Sequence, residues 1–257
     1  MTASKRIAQL SWLYASGIDH PLIPSPLRRI FYLIKEGMRV VKILLRNNRQ
    51  KLCVIILLFN GATLFAQQDL FYAPQDIKKP APALIITSCT GATQKDLDSN
   101  RAIADRLGWV IGTSAKTKNH RSAWQNDADI MVTYKKLIAD YPVDTTQVFI
   151  CGFSGQAVQA MMEVFLHPDK FKGAVCICAH DGAMGLAKWE SLKGHYFYLI
   201  SREKDWNLEA NKKMHWEFMS HGIEDTLIVT KGRHRSKDRR ELYNGCKWLD
   251  KMIKLER

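Results

Sequence analysis

The stretch Gln147-Val148-Phe149-Ile150-Cys151-Gly152-Phe153-Ser154-Gly155-Gln156-Ala157 decides how the chain is read. Residues 147–151 form a short apolar run of the kind found in strands buried on both faces. Residues 155–166 follow as a helix that stops before Pro168. Between them a serine stands between glycines, in a turn too tight for side chains at the flanking positions. Such a strand-to-helix turn lifts the Ser154 hydroxyl above the sheet, and the helix start behind it favours negative charge.

The same alternation extends to both sides. Short apolar runs at 83–87, 109–112, 174–178, 196–200 and 226–229 read as five more strands. Between them, residues 95–107, 122–140 and 208–221 read as helices; in 122–140, Ile130, Tyr134, Leu137 and Ile138 form an amphipathic stripe. A last helix places Leu242, Cys246, Leu249 and Ile253 on one face. Six strands alternating with helices imply an α/β domain with a parallel sheet covered on both faces. In such sheets ligands bind at the carboxyl ends of the strands.

Two further polar groups stand at those ends. Ser201-Arg202-Glu203-Lys204-Asp205-Trp206-Asn207 follows the strand 196–200, and Thr230-Lys231-Gly232-Arg233-His234 follows the strand 226–229. A serine needs a base to become nucleophilic, and the base needs an acid to orient it. Ser154, His234 and Asp205 supply these in the chain order Ser, Asp, His. Glu203 and Asp181 are alternative acids. Cys89 and Cys151 raise a thiol nucleophile, but Cys151 reads as a strand residue and Cys89 has no neighbouring histidine in sequence.

With these residues, 82–254 resembles the α/β-hydrolases of the dienelactone-hydrolase, polyhydroxybutyrate-depolymerase and carbohydrate-esterase kind. Asp205-Trp206-Asn207 is similar to that family's acid-bearing segment, and Gly232-Arg233-His234 to its base-bearing turn. Ser88-Cys89-Thr90-Gly91 stands where the family keeps its oxyanion loop. The resemblance implies a mostly parallel sheet of six to seven strands; this chain departs from the family in that residues 67–80 are too short for a leading strand pair, so the sheet is expected to be trimmed at its N-terminal edge, and no lid insertion stands between residues 179 and 195. The resemblance further implies that Ser154 attacks an acyl carbonyl, His234 moves the proton and Asp205 fixes the imidazole. The oxyanion would be held by the amides of Gly155 and of Cys89 or Thr90. Gln156 departs from the family, which usually has glycine there; it needs extra room or adds a polar group to the site.

The resulting expectation is a serine esterase cleaving small-molecule or polysaccharide esters through an acyl-enzyme, with no cofactor and no metal. A catalytically silent protein of the same fold that binds glycan or lipid, and a peptidase, are the alternatives. Trp206 and Gln156 are candidate substrate contacts. Lys231, Arg233, Arg235, Lys237, Arg239 and Arg240 crowd around His234, either as a solvated helix start or as a cationic rim in which Arg233 and Arg235 meet an anionic substrate.

The net charge of +13 is concentrated in residues 1–66, which hold ten Lys/Arg and two acids. Residues 67–257 keep 28 bases against 23 acids, so bulk charge no longer argues for nucleic acid. Lys42, Arg46, Arg49 and Lys51 precede the apolar run 52–59, and the apolar stretch ends at Ala66. These are the parts of a secretory signal, too short for a spanning helix. The expectation is an N-terminal extension and signal over 1–66, export to the periplasm or medium, and a hydrolase domain over 67–257. An uncleaved membrane anchor is the alternative; oligomeric state is not readable. Five cysteines in 67–257 are an odd number, so at least one thiol stays free or pairs between chains. With no CxxC or H-x3-H pair, and no ligand spacing among His120, His167, His195, His215 and His221, a structural zinc site is not expected.

Overall fold

In the computed structural model of the 257-residue chain, the described residues are 68–77, 80–235 and 239–256. The expectations placed on 1–66 and on Lys237 lie outside them. The elements run β1 (Leu70–Tyr72), β2 (Ala81–Ile86), α1 (Gln94–Leu107), β3 (Val110–Thr113), α2 (Ala123–Asp140), β4 (Val143–Phe153), α3 (Gly155–Leu166), β5 (Gly173–Ile177), β6 (Tyr196–Lys204), α4 (Leu208–Ser220), β7 (Glu224–Arg233) and α5 (Arg239–Leu255). The connection from β5 to β6 holds two short 3-10 helices, Asp181–Leu186 and Trp189–Leu192.

Among the described residues, seven strands form one open sheet in the order β1-β3-β2-β4-β5-β6-β7. Only β1 is antiparallel, capping β3 as an edge strand. This is the trimmed N-terminal edge expected from the short lead segment. Asp69 pins that edge: its carboxylate accepts from the Ala115 amide at 3.0 Å and the Thr133 hydroxyl at 2.9 Å.

The apolar runs alternate between two cores, as the pleat dictates. Ile85, Val148, Ile150, Phe197 and Leu199 face one side, where Ile130, Leu137, Met161, Phe165, Met214 and Phe218 of α2, α3 and α4 cover them. Leu84, Phe149, Cys151, Val175 and Tyr198 face the other, under Leu97 and Ile103 of α1 and Leu242, Cys246 and Leu249 of α5. Trp109 stacks on Phe149 with ring centroids 5.1 Å apart. Strand order reverses at β2, with β3 on one side and β4 on the other. That reversal opens a crevice at the carboxyl ends of β2 and β4.

Candidate active site

β4 delivers Ser154 into this crevice. The serine is the N-cap of α3 and holds a left-handed backbone, φ 56° and ψ −125°. Its amide donates to the Ile177 carbonyl at 2.8 Å, which fixes the turn against β5. Gly152 is obligatory here: a Cβ would lie 2.2 Å from the Gln156 carbonyl oxygen. At Gly155 a Cβ would sit 2.8 Å from Asn119 Oδ1, so the loop after β3 also presses on the turn.

β6 and β7 extend beyond their apolar runs, to Lys204 and Arg233, so Asp205 and His234 each follow the last strand residue directly. The structure brings the three side chains together. His234 Nε2 lies 2.9 Å from Ser154 Oγ, and Nδ1 lies 3.0 and 3.1 Å from the two Asp205 oxygens. The Asp205 side chain is fully buried and that of His234 nearly so. Burial pushes the Asp205 carboxyl up, but hydrogen bonds from the Cys178 thiol, the Asn207 amide and His234 outweigh it and hold it below the usual carboxylate range. Asn207 also donates to the Cys178 carbonyl at 3.1 Å, locking the two loops together. Two rings pack on the imidazole: Trp206 stacks on it at 3.9 Å between centroids, and Phe153 lies tilted against it at 4.7 Å. Its loop is anchored from below by Arg202, which donates to the Arg235 carbonyl at 2.9 Å and pairs with Glu241 at 2.7 Å.

The alternatives lie elsewhere. Glu203 is exposed at the end of β6, and Asp181 pairs with Lys213 at 3.3 Å. Burial pushes the Cys151 thiol up to about 12 and raises that of Cys89, so neither is a ready thiolate. The thiol of Cys89 donates instead to the Phe153 carbonyl at 3.2 Å, which brings the loop after β2 against the turn; Thr90 is exposed. All five described cysteines are free.

A cavity of about 400 Å³ opens beside Ser154. Gln156 and Trp206 line it, as does a wall from the loop between β3 and α2 that carries Lys118, His120 and Arg121. Gln156 finds its room by turning its buried amide toward Asn119, with Nε2 3.4 Å from Oδ1. Arg233 and Arg235 are not on this cavity. Arg235 borders a separate hollow with Arg202, Lys231 and Arg240. The sequence reading missed the Lys118–Arg121 wall. Its signal was two basic residues and a histidine within four positions, a few residues past a strand end, in a loop with no apolar period to draw attention.

No protein-family profile matches the chain, and no curated protein matches it in sequence. Solved structures do match in shape. The substrate-bound fluorophosphonate-binding serine hydrolase FphF of Staphylococcus aureus aligns over 72% of this chain and 92% of its own, at 13% identity and a TM-score of 0.57. A ferulic acid esterase aligns over 72% and 92%, at 14% identity and 0.56. The S-formylglutathione hydrolase FrmB of Staphylococcus aureus aligns over 71% and 89%, at 15% identity and 0.54. The fold is that of the α/β-hydrolases. At these identities the likeness speaks for the fold, and the chemistry has to be argued from the side chains.

Proposed function

We propose that this domain is a serine hydrolase that cleaves carboxylic esters through a covalent acyl-enzyme. The observation that carries the reading is the unbroken relay Ser154–His234–Asp205 at one rim of the sheet, with donor–acceptor distances of 2.9 to 3.1 Å. Ser154 Oγ attacks the acyl carbon while His234 Nε2 takes its proton. His234 returns that proton to the departing alkoxide oxygen. A water then repeats the sequence on the acyl-serine and releases the acid. Asp205, ionised throughout, holds the Nδ1 proton and stabilises the imidazolium. The amide of Gly155, at the open N-terminus of α3, and that of Cys89 hold the oxyanion; one such donor contributes roughly 3–4 kcal/mol to barrier lowering.

The substrate is a small ester whose polar or anionic part rests against Lys118, His120 and Arg121, with Trp206 and Gln156 opposite. The esterase and serine-hydrolase neighbours support this class of reaction; Lys118, which forms no ion pair among the described residues, supports the charge preference, while Arg121 already pairs with Asp129. A fluorophosphonate probe tests the nucleophile. Labelling is expected in the wild type and lost in Ser154→Ala and His234→Ala; an unlabelled wild type would leave a fold without the activity. A panel of p-nitrophenyl esters then compares neutral with carboxylate-bearing acyl groups. The charge preference fails if Lys118→Glu leaves KM equal for both.

A further inference from the structure

A second polar cluster lies on the same helix as the proposed nucleophile and takes no part in the relay. Glu163 stands nine residues beyond Ser154 on α3, roughly 13 Å along the axis at 1.5 Å per residue. His167, four residues further, caps the end of α3 and reaches Asp127 of α2, with Nε2 and Oδ1 2.7 Å apart. One donor atom from each of Asp127, Glu163 and His167 lies within 4.8 Å of the other two.

Glu163 is 0% exposed. Its Oε1 accepts from Gln159 Nε2 at 2.6 Å, while no donor reaches the buried Oε2; the Asp127 carboxylate stands as a hydrogen-bond acceptor for the Glu163 carboxyl only when that carboxyl is protonated. Among the described residues no lysine or arginine forms an ion pair with any of the three side chains. Burial pushes the Glu163 carboxyl up to about 8, opposed in part by the Gln159 hydrogen bond, and the Asp127 carboxylate raises it further. Two acids and an imidazole thus share a site that no lysine or arginine enters among the described residues. A buried carboxylate oxygen that no donor reaches calls for a proton or for a cation.

We infer that Asp127, Glu163 and His167 form a divalent metal site of the zinc class that staples α2 to α3. The donor set, two carboxylates and one imidazole, suits Zn²⁺ and its neighbours better than Ca²⁺ or Mg²⁺. A tetrahedral ion with bonds of 2.0–2.2 Å spaces its ligands about 3.3–3.6 Å apart. The three donors therefore need shifts of about an ångström, and the 2.7 Å contact opens to admit the ion. The Asp127 and His167 side chains keep 19% and 26% exposure, so an ion has a route in and a water can complete its shell. Gln159 carries the link onward: its Nε2 also donates to the Ala123 carbonyl at 3.1 Å, at the start of α2 beside the cavity wall. The ion's role is structural, and the ester chemistry proceeds without it. The expectation of no zinc site came from cysteine and histidine spacing, which is blind to a carboxylate pair drawn from two helices.

Full-length protein, stripped with chelator and dialysed, is titrated with Zn²⁺ by calorimetry at pH 7.5. One equivalent is expected, weakened at least a hundredfold in Glu163→Gln and in His167→Gln. A hundredfold excess over Kd is expected to raise Tm by about 5–10 °C in the wild type and not in the variants. His167 is half-buried, so its variant is expected to fold even if Glu163→Gln does not. Cys178, Asp205 and His234 also cluster within 4.8 Å, so fluorophosphonate labelling is measured alongside. Zinc at the proposed site leaves labelling unchanged. No binding tighter than about 100 µM would overturn the inference, leaving Glu163 as a buried protonated acid. So would binding that survives both variants, or binding that blocks labelling and is lost only in His234→Gln.

Discussion

A histidine–carboxylate pair stands at each end of helix α3, and the two are opposites. At its N-terminus His234 and Asp205 meet Ser154, and every polar atom of the relay has a partner. At its C-terminus His167 and Asp127 meet Glu163, whose Oε2 no donor reaches. Both central acids are buried. Asp205 falls below the usual carboxylate range and Glu163 rises to about 8. Burial pushes both up; the difference is made by what surrounds them. Asp205 receives three donors, whereas Glu163 receives one and faces another acid. The difference teaches that burial alone does not set the charge of an acid, and that the number of donors reaching it does.

The largest expected effect separates the two ends. Ser154→Ala and His234→Ala are expected to lower kcat by about 10⁴–10⁶, read in p-nitrophenyl ester turnover. Glu163→Gln and His167→Gln are expected to leave it within about twofold; an equal loss at both ends would erase the distinction. Asp205→Asn is next, with a drop in kcat of about 10⁴ and the fold intact by circular dichroism, because the amide cannot hold the imidazole in the same tautomer. Trp206→Ala is expected to lower kcat/KM by about tenfold, since it removes one of the two rings packed on the imidazole. Retained activity would mean that Phe153 and Asp205 suffice to hold the ring.

The smallest effect uses a third pair. His215 Nδ1 lies 2.7 Å from Asp225 Oδ2 while Asp225 Oδ1 is unpartnered, and burial raises this acid to about 6. An acid whose pKa is raised on folding stabilises the protein fully below its unfolded value, near 4, and loses that contribution as pH rises through 6. Asp225→Asn is therefore expected to gain Tm relative to wild type between pH 4.5 and 7.5. A constant difference across that range would show that the acid keeps its ordinary value.

What the sequence could disclose follows from how local each feature is. Ser154 was legible because a single tight turn between an apolar run and a helix specifies it. Asp205 and His234 were legible as strand-end residues, since their strands are continuous apolar runs. β1 was not: three residues, Leu70–Tyr72, carry no period, and only their pairing with β3 makes them a strand. The place of Arg235 was not legible, because β7 runs on to Arg233 through exposed residues that do not read as strand. Asp127 and Glu163 met only when two helices packed. The spacing Glu163-x3-His167 was visible, but nothing in sequence brings a residue of α2 to it.

The left-handed backbone at Ser154 has one more outcome. Glycine would occupy φ 56° without strain, so Ser154→Gly is expected to be the sturdier protein by about 1 kcal/mol while losing all turnover. Any screen for heat resistance alone would drift toward a dead shell at this position. Thermal hardening of the domain has to be sought at sites remote from the turn.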